Sequence, residues 1–222
     1  MQGGTWENVL KQPPCIVIGA GGHAKVLLDC LGRLGMTVLG CVDANPALTG
    51  ATVGGAKVLG GDAVLAQHAP GTVMLVNAIG STQSMERRRA VFESLKAKGY
   101  AFATIVHPSA VVASGVSLGE GAQVMAGAVL QADAKIGANS IVNTGALVDH
   151  DSAVGAHVHL APGCVISGGV SIGDGTHLGT AAAAIHGVRI GANCLVAAGA
   201  VVLDDVADGM RVMGVPAREM RL

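Results

Sequence analysis

From Val112 onward every sixth residue is aliphatic: Val112, Leu118, Val124, Leu130 and so on to Ile190, Val196 and Val202, with Ala184 the single exception in Val, Leu and Ile. An α-helical period of 3.6 would lose this phase within two steps, and a strand alternating in-out would need a period of two, so neither ordinary element accounts for it. The residue two places earlier is usually small, as at Ala122, Ala128, Ser140, Ala146, Ser152 and Cys164, and Gly often follows the aliphatic, as at Gly119, Gly137 and Gly155. A six-residue repeat of this kind predicts a parallel β-helix, in which three hexads close one triangular coil and the aliphatics point to the axis. Residues 18 apart then stack at the inter-strand spacing of about 4.8 Å. Composition agrees: 50% of residues are hydrophobic but only 2% aromatic, and 34 are Gly, so the core is built from small aliphatics.

The half before the ladder has a different grammar. Cys15-Ile16-Val17-Ile18 reads as a buried strand, followed by Gly19-Ala20-Gly21-Gly22-His23-Ala24-Lys25 and an apolar stretch at helical spacing. Strand, glycine turn and helix present backbone N–H groups to a phosphate. A second strand over 37–42 ends at Asp43-Ala44, about twenty residues on, where an acidic side chain can meet a ribose or base. A later parallel strand over 73–77 leads into Ala78-Ile79-Gly80. These glycines alone are compatible with a dinucleotide, with a nucleotide sugar, or with a tight turn that binds nothing. The expected organisation is therefore a flexible arm over 1–12, an α/β Rossmann-like nucleotide-binding domain over 13–107 and a β-helix over 108–222.

Bulk properties exclude several classes. The formal net charge is −1, and the longest basic run is Arg87-Arg88-Arg89, so nucleic-acid binding is not expected. No apolar run reaches the roughly 20 residues that a membrane helix needs, and the start lacks a signal-peptide pattern. Five cysteines without CxxC spacing argue for a reducing compartment, so the expected location is cytoplasmic.

Within the ladder, Asn143-Thr144-Gly145-Ala146-Leu147-Val148-Asp149-His150-Asp151 places His150 two positions after an inward aliphatic, at a turn between faces where a side chain can leave the core. Imidazole is the natural base near neutral pH, and a carboxylate beside it raises its basicity. His159 precedes inward Leu160 and so points outward. His107 is assigned to the domain junction, and His157, His177 and His186 are assigned to the surface or an interface. Histidines 18 or 36 apart fall in line along one face, which does not supply the converging ligands that zinc requires, so no metal is expected. Cys164 and Cys194 fall in the small inward register, which disfavours either thiol as a covalent nucleophile.

The ladder resembles the hexapeptide-repeat acyltransferases, whose helices are left-handed and whose members form trimers. The ending Val212-Met213-Gly214-Val215-Pro216-Ala217-Arg218 resembles that family's closing turn, which lies beside the adenine end of the coenzyme. Over roughly residues 15 to 219 the chain resembles the sugar acetyltransferases that include the bacillosamine-pathway and perosamine N-acetyltransferases and the sialic-acid O-acetyltransferases. The resemblance implies acetyl-coenzyme A as co-substrate, a UDP- or GDP-linked amino sugar as acceptor in glycan biosynthesis, and a homotrimer. It implies His150 as general base supported by Asp151, where the bacillosamine type has Glu, and Asn143 near the acetyl or sugar group. It further implies that His159, Gly168, Thr180, Ala198 and Pro216 line the coenzyme path, and that Gly21, Gly22, His23, Asp43, Ala44 and Gly80 hold the nucleotide sugar. O-acetylation of a sugar such as sialic acid, and a non-catalytic β-helix scaffold, are the alternatives left open.

Overall fold

The structure, a computed structural model, describes residues 13–81 and 84–220, so the arm expected over 1–12 lies outside the described residues. Two compact units emerge: the chain up to Gly80 together with Val91–Ala103, and Ser81–Ala90 together with everything from Thr104 onward. This division differs from the expected boundary at 107/108 in two respects: the β-helix unit already begins at Thr104, and the short segment Ser81–Ala90 is grouped with it. A regular helix pattern carries no sign of which neighbour it will join.

The first unit is a six-stranded sheet in the order β3-β4-β2-β1-β5-β6, with β1 at Cys15–Ile18, β2 at Val38–Val42, β3 at Thr52–Val53, β4 at Ala56–Gly60, β5 at Met74–Asn77 and β6 at Ala101–Phe102. All pairings are parallel except the β3–β4 hairpin. Strand β1 is fully buried, as its unbroken apolar run predicts for a central parallel strand. Helix α1, Gly22–Arg33, buries Ala24, Leu27, Leu28, Cys30 and Leu31 on one face. It stops where Gly35 takes φ +67° and the amides of Gly35 and Met36 bond back to Gly32 and Leu31, the paired closure that satisfies the last carbonyls. The chain lays β2 to one side of β1 and β5 to the other. The crevice at the carboxyl ends of β1 and β5 is therefore the switch point at which such sheets bind ligands.

The second unit is the β-helix. As far as Val202 its strands are two-residue pieces six apart that stack in 18-residue register, such as Ile141↔His159 and His159↔His177. Three parallel faces result. The first runs from Ile105–Val106 to Arg211–Met213, the second from Val111–Val112 to Val201–Val202, and the third from Ser117–Leu118 to Arg189–Ile190. The ladder thus begins one hexad before Val112, at Val106, and ends out of phase, with Val206 rather than residue 208 bridging Ile190. Leu130, Val142, Val148, Leu160, Ile166, Leu178 and Val196 are fully buried along the axis, with Ala128, Ala146 and Cys164 beside them.

Two backbone constraints hold the corners. Every sixth residue from Gly115 to Gly199 has positive φ, and where Gly is absent the slot is filled by Asp133, Asn139, Asp151, His157, Ala181 or Asn193. Asn and Asp are among the few side chains that enter this region readily. A different set packs tightly between coils: a Cβ on Gly119 would stand 2.5 Å from the amide nitrogen of Ala138.

The outward residues of the three faces differ in chemistry. On the second face they are Val111, Val129, Leu147, Val165, Ala183 and Val201, with Val111 59% and Val165 44% exposed. On the third they are Ser117, Lys135, Ala153, Ser171 and Arg189. Among the described residues no helix is long and apolar enough to cross a membrane.

Candidate active site

His150 sits at the corner between the second and third faces, exposed, with Nδ1 2.8 Å from Oδ2 of Asp151. Asp151 occupies the positive-φ slot of that corner at φ 59°, and it is this backbone turn that folds its carboxylate back toward the preceding imidazole. Asp149 adds an Asx-type contact, its Oδ1 accepting the His150 amide at 2.8 Å. The hydrogen bond to Asp151, and then the charge of Asp149, hold the imidazole above its ordinary pKa. With Nδ1–H given to Asp151, Nε2 is left with its lone pair as the basic atom. It lies over Gly168 in the next coil, where a Cβ would come within 2.6 Å of Nε2 and 2.7 Å of Cε1. Gly168, expected along the coenzyme path, therefore shares the corner of His150 and is the floor on which the ring rests.

A separate cleft of about 530 Å3 runs along the first face and its corner with the second, and Asn143, His159, His177, Thr180, Ala198 and Arg211 are among its walls. Thr180 and Ala198 stack as their 18-residue spacing requires, with the Gly199 amide donating to the Thr180 carbonyl at 2.9 Å. Asn143 accepts the Thr144 amide on Oδ1 at 2.8 Å, which orients its Nδ2 as donor toward Nε2 of His159 at 3.0 Å. His159 Nε2 is thereby an acceptor, and a neutral ring carries its proton on Nδ1. His159 and His177 meet edge to face with centroids 4.9 Å apart. The assignment of His177 to the surface needs correction, since the ring is 5% exposed, burial pushes its pKa down, and Ser81 Oγ lies 3.1 Å from its Nδ1. His157 is likewise buried, with its Nδ1 3.0 Å from Asn139 Nδ2, while Arg88 donates from Nε to the Asn139 carbonyl at 3.0 Å. Alternation along a strand correctly predicts that these rings point away from the axis. It says nothing of Ser81–Ala90 lying in the same unit. His107 lies near the start of the second unit's long segment, its Nδ1 accepting from the Ser109 amide at 3.0 Å.

The remaining expected residues fall elsewhere. Pro216 is exposed in the closing hairpin, where the Ala217 amide donates to the Val201 carbonyl at 2.8 Å. In the first unit, Gly21 caps α1 without a side-chain bond, and a Cβ on Gly21 or Gly22 would meet only open space, so the helix amides there are accessible. Gly19 at φ +101° packs against the Ala78 backbone, and a Cβ on Gly80 would touch Cβ of His23 at 3.5 Å, which puts both turns at the β1–β5 crevice. Ala44 is exposed beside them. Asp43 has its oxygens engaged by backbone, Oδ2 by the Ala20 amide at 2.8 Å and Oδ1 by the Asn45 amide at 2.9 Å. Its first role is thus to pin the glycine turn to the end of β2.

Cys164 is sealed in the core, its thiol pushed up to about 11 by burial, which removes it as a nucleophile near neutral pH. No group of three His, Cys, Asp or Glu among the described residues is placed to hold a metal ion.

Comparison with known proteins bears on both units. The PglD N-terminal domain model matches residues 15–95, and the hexapeptide repeat of succinyl-transferase model matches 109–132 and 169–204. No curated protein sequence matches the chain. Among solved structures, perosamine N-acetyltransferase from Caulobacter crescentus in complex with CoA and GDP-perosamine is 42% identical, with a TM-score of 0.87 over 94% of this chain and 97% of that one. The acetyltransferase domain of PglB from Neisseria gonorrhoeae, solved also with acetyl coenzyme A, is 35% identical, with a TM-score of 0.87 over 94% of this chain and 100% of that one. WeeI from Acinetobacter baumannii, at 25% identity, has a TM-score of 0.84 over 94% and 100%. The ladder, the glycine turn at the switch point and these likenesses agree: the chain belongs to the family of hexapeptide-repeat sugar N-acetyltransferases, which joins a PglD-type Rossmann-like domain to a left-handed β-helix.

Proposed function

We propose that this protein is a cytoplasmic, homotrimeric enzyme that moves the acetyl group of acetyl-coenzyme A to the amine of a nucleotide-linked amino sugar. The carrying observation is the exposed His150–Asp151 pair with Nε2 lying over Gly168. The amine nitrogen attacks the thioester carbonyl while Nε2 of His150 takes its proton. The C–S bond then breaks, and the coenzyme leaves as a thiol once its sulfur is protonated. Asp151 fixes the tautomer and supports the imidazolium that forms. The relatives described as perosamine N-acetyltransferase and bound to GDP-perosamine support an amine over a hydroxyl acceptor. The five unpaired cysteines support a reducing compartment.

Where the two sets of residues lie supports the trimer. His150 stands at one end of the second face, and the cleft of Asn143 and His159 opens at the other. That face is also the one whose outward column is apolar. Packing three such faces around a threefold axis buries the column and brings the His150 corner of one chain against the cleft corner of the next. Each complete site then draws its base from one subunit and its coenzyme cleft from a neighbour. In this reading the nucleotide sits on the open α1 amides, with His23 and Gly80 beside the sugar.

The test is a thiol-release assay over UDP-, GDP- and dTDP-linked amino sugars, with free sialic acid as the competing acceptor. His150→Ala is expected to lower turnover by about 100-fold or more while leaving acetyl-coenzyme A binding by calorimetry nearly unchanged. Unchanged turnover would remove His150 as base, and a response to sialic acid alone would overturn the nucleotide-sugar assignment.

A further inference from the structure

Among the described residues, the cleft along the first face holds one formally charged side chain, Arg211, and no carboxylate lines it. Among the described residues Arg211 has no ion-pair partner, whereas Arg33, Arg189 and Arg218 each face an aspartate at 4.0 Å or closer. Arg211 also borders a neighbouring pocket lined by Glu86 and Arg89, one charge of each sign. An arginine with no ion-pair partner beside a cleft of apolar and uncharged polar walls favours an anion, and its planar fork suits phosphate oxygens.

Its height along the helix identifies which anion. His159, His177, Leu195 and Arg211 are stacked directly, one per coil, on the first face. Three inter-strand steps separate His159 from Arg211, roughly 14 Å at the usual strand spacing. The pantetheine arm of a coenzyme A thioester has thirteen bonds from sulfur to the first phosphorus, roughly 15 Å when extended at ordinary bond lengths. A thioester held beside Asn143 and His159 therefore delivers its diphosphate to the level of Arg211. Thr180 and Ala198 flank the path between them.

We propose that Arg211 is the residue that reads the coenzyme's diphosphate, so that it sets the preference of this enzyme for coenzyme A thioesters over shorter acyl-pantetheine donors. This rests on the acetyl-coenzyme A reading above and adds to it the end of the cleft at which the nucleotide half is anchored.

The experiment compares kcat/KM of the full-length enzyme for acetyl-coenzyme A, 3′-dephospho-acetyl-coenzyme A and S-acetylpantetheine, in the wild type and in Arg211→Ala, Arg211→Lys and Arg189→Ala. Arg211→Ala is expected to lose at least about tenfold with both diphosphate-bearing donors, mainly through KM, and to stay within about twofold of wild type with S-acetylpantetheine. Arg211→Lys should recover part of the loss, because a point charge retains the attraction without the fork. Arg189→Ala, which removes a paired arginine of the third face, should match wild type. Equal losses on all three donors would show a structural role and overturn the proposal. A loss confined to acetyl-coenzyme A would mean that the 3′-phosphate is read instead and would overturn it too, as would an equal loss in Arg189→Ala. A wild type that uses none of the three donors would sink the acetyl-coenzyme A reading itself, an outcome distinct from the others.

Discussion

His150 owes its basicity to two neighbours in the chain, and the geometry says what each one does. Asp151 takes Nδ1–H at 2.8 Å and is the larger influence, while Asp149 acts through its charge and by fixing the backbone at the corner. As the proposed base the imidazole must be neutral, so the rate should fall on the acid side as pH drops through the His150 pKa. Removing the Asp151 charge lowers that pKa, and the acid limb of the kcat/KM profile must therefore move to lower pH in Asp151→Asn. The plateau should drop as well, because a carboxamide supports the imidazolium less. A limb that stays in place, or moves up, would contradict the assignment. The stability linkage has the opposite sense: a raised histidine pKa favours the fold below the ordinary value and loses that contribution as pH rises through the folded one. With His150 this exposed, the effect belongs to the rate rather than to stability.

At the scale of elements, the second face presents an apolar outward column, and the proposed trimer buries it. Val165 is 44% exposed at its middle. Val165→Asp is expected to fold normally, with stability within about 0.5 kcal/mol of wild type if the monomer is the reference. It should sediment as a monomer and lose acetyl transfer. A Val165→Asp protein that remained trimeric would exclude this face as the interface. The same elements show what a sequence can and cannot convey. The ladder was legible because inward aliphatics recur without insertion, and the exposed His150–Asp151 pair because His150 breaks from the inward register between two acids. The ladder's ends were not: Ile105–Val106 precedes His107-Pro108, which reads as a junction, and Val206 leaves the six-residue phase. The burial of His157 and His177 was hidden for a related reason. Strand alternation reports only whether a ring faces the axis, and the partners Asn139 and Ser81 are set by tertiary packing. Asp43 was legible as important but not as a clasp, since its bonds go to the amides of Ala20 and Asn45 rather than to anything a motif names.

At the scale of the whole molecule, the proposed trimer makes each chain the carrier of two half-sites at opposite ends of an apolar face. The base and its floor are His150 and Gly168; the cleft is walled by Asn143, His159, Thr180 and Ala198. The account predicts that neither half works with its own chain's other half. Co-expression of His150→Ala with a cleft-blocked Ala198→Trp chain tests this most directly, each variant being inactive alone. Random mixing in a cyclic trimer leaves one seam in four with both wild-type halves, so the mixture should recover roughly a quarter of wild-type turnover. Activity that stays at the level of the separate variants would show that base and cleft belong to one chain, and would contradict the account.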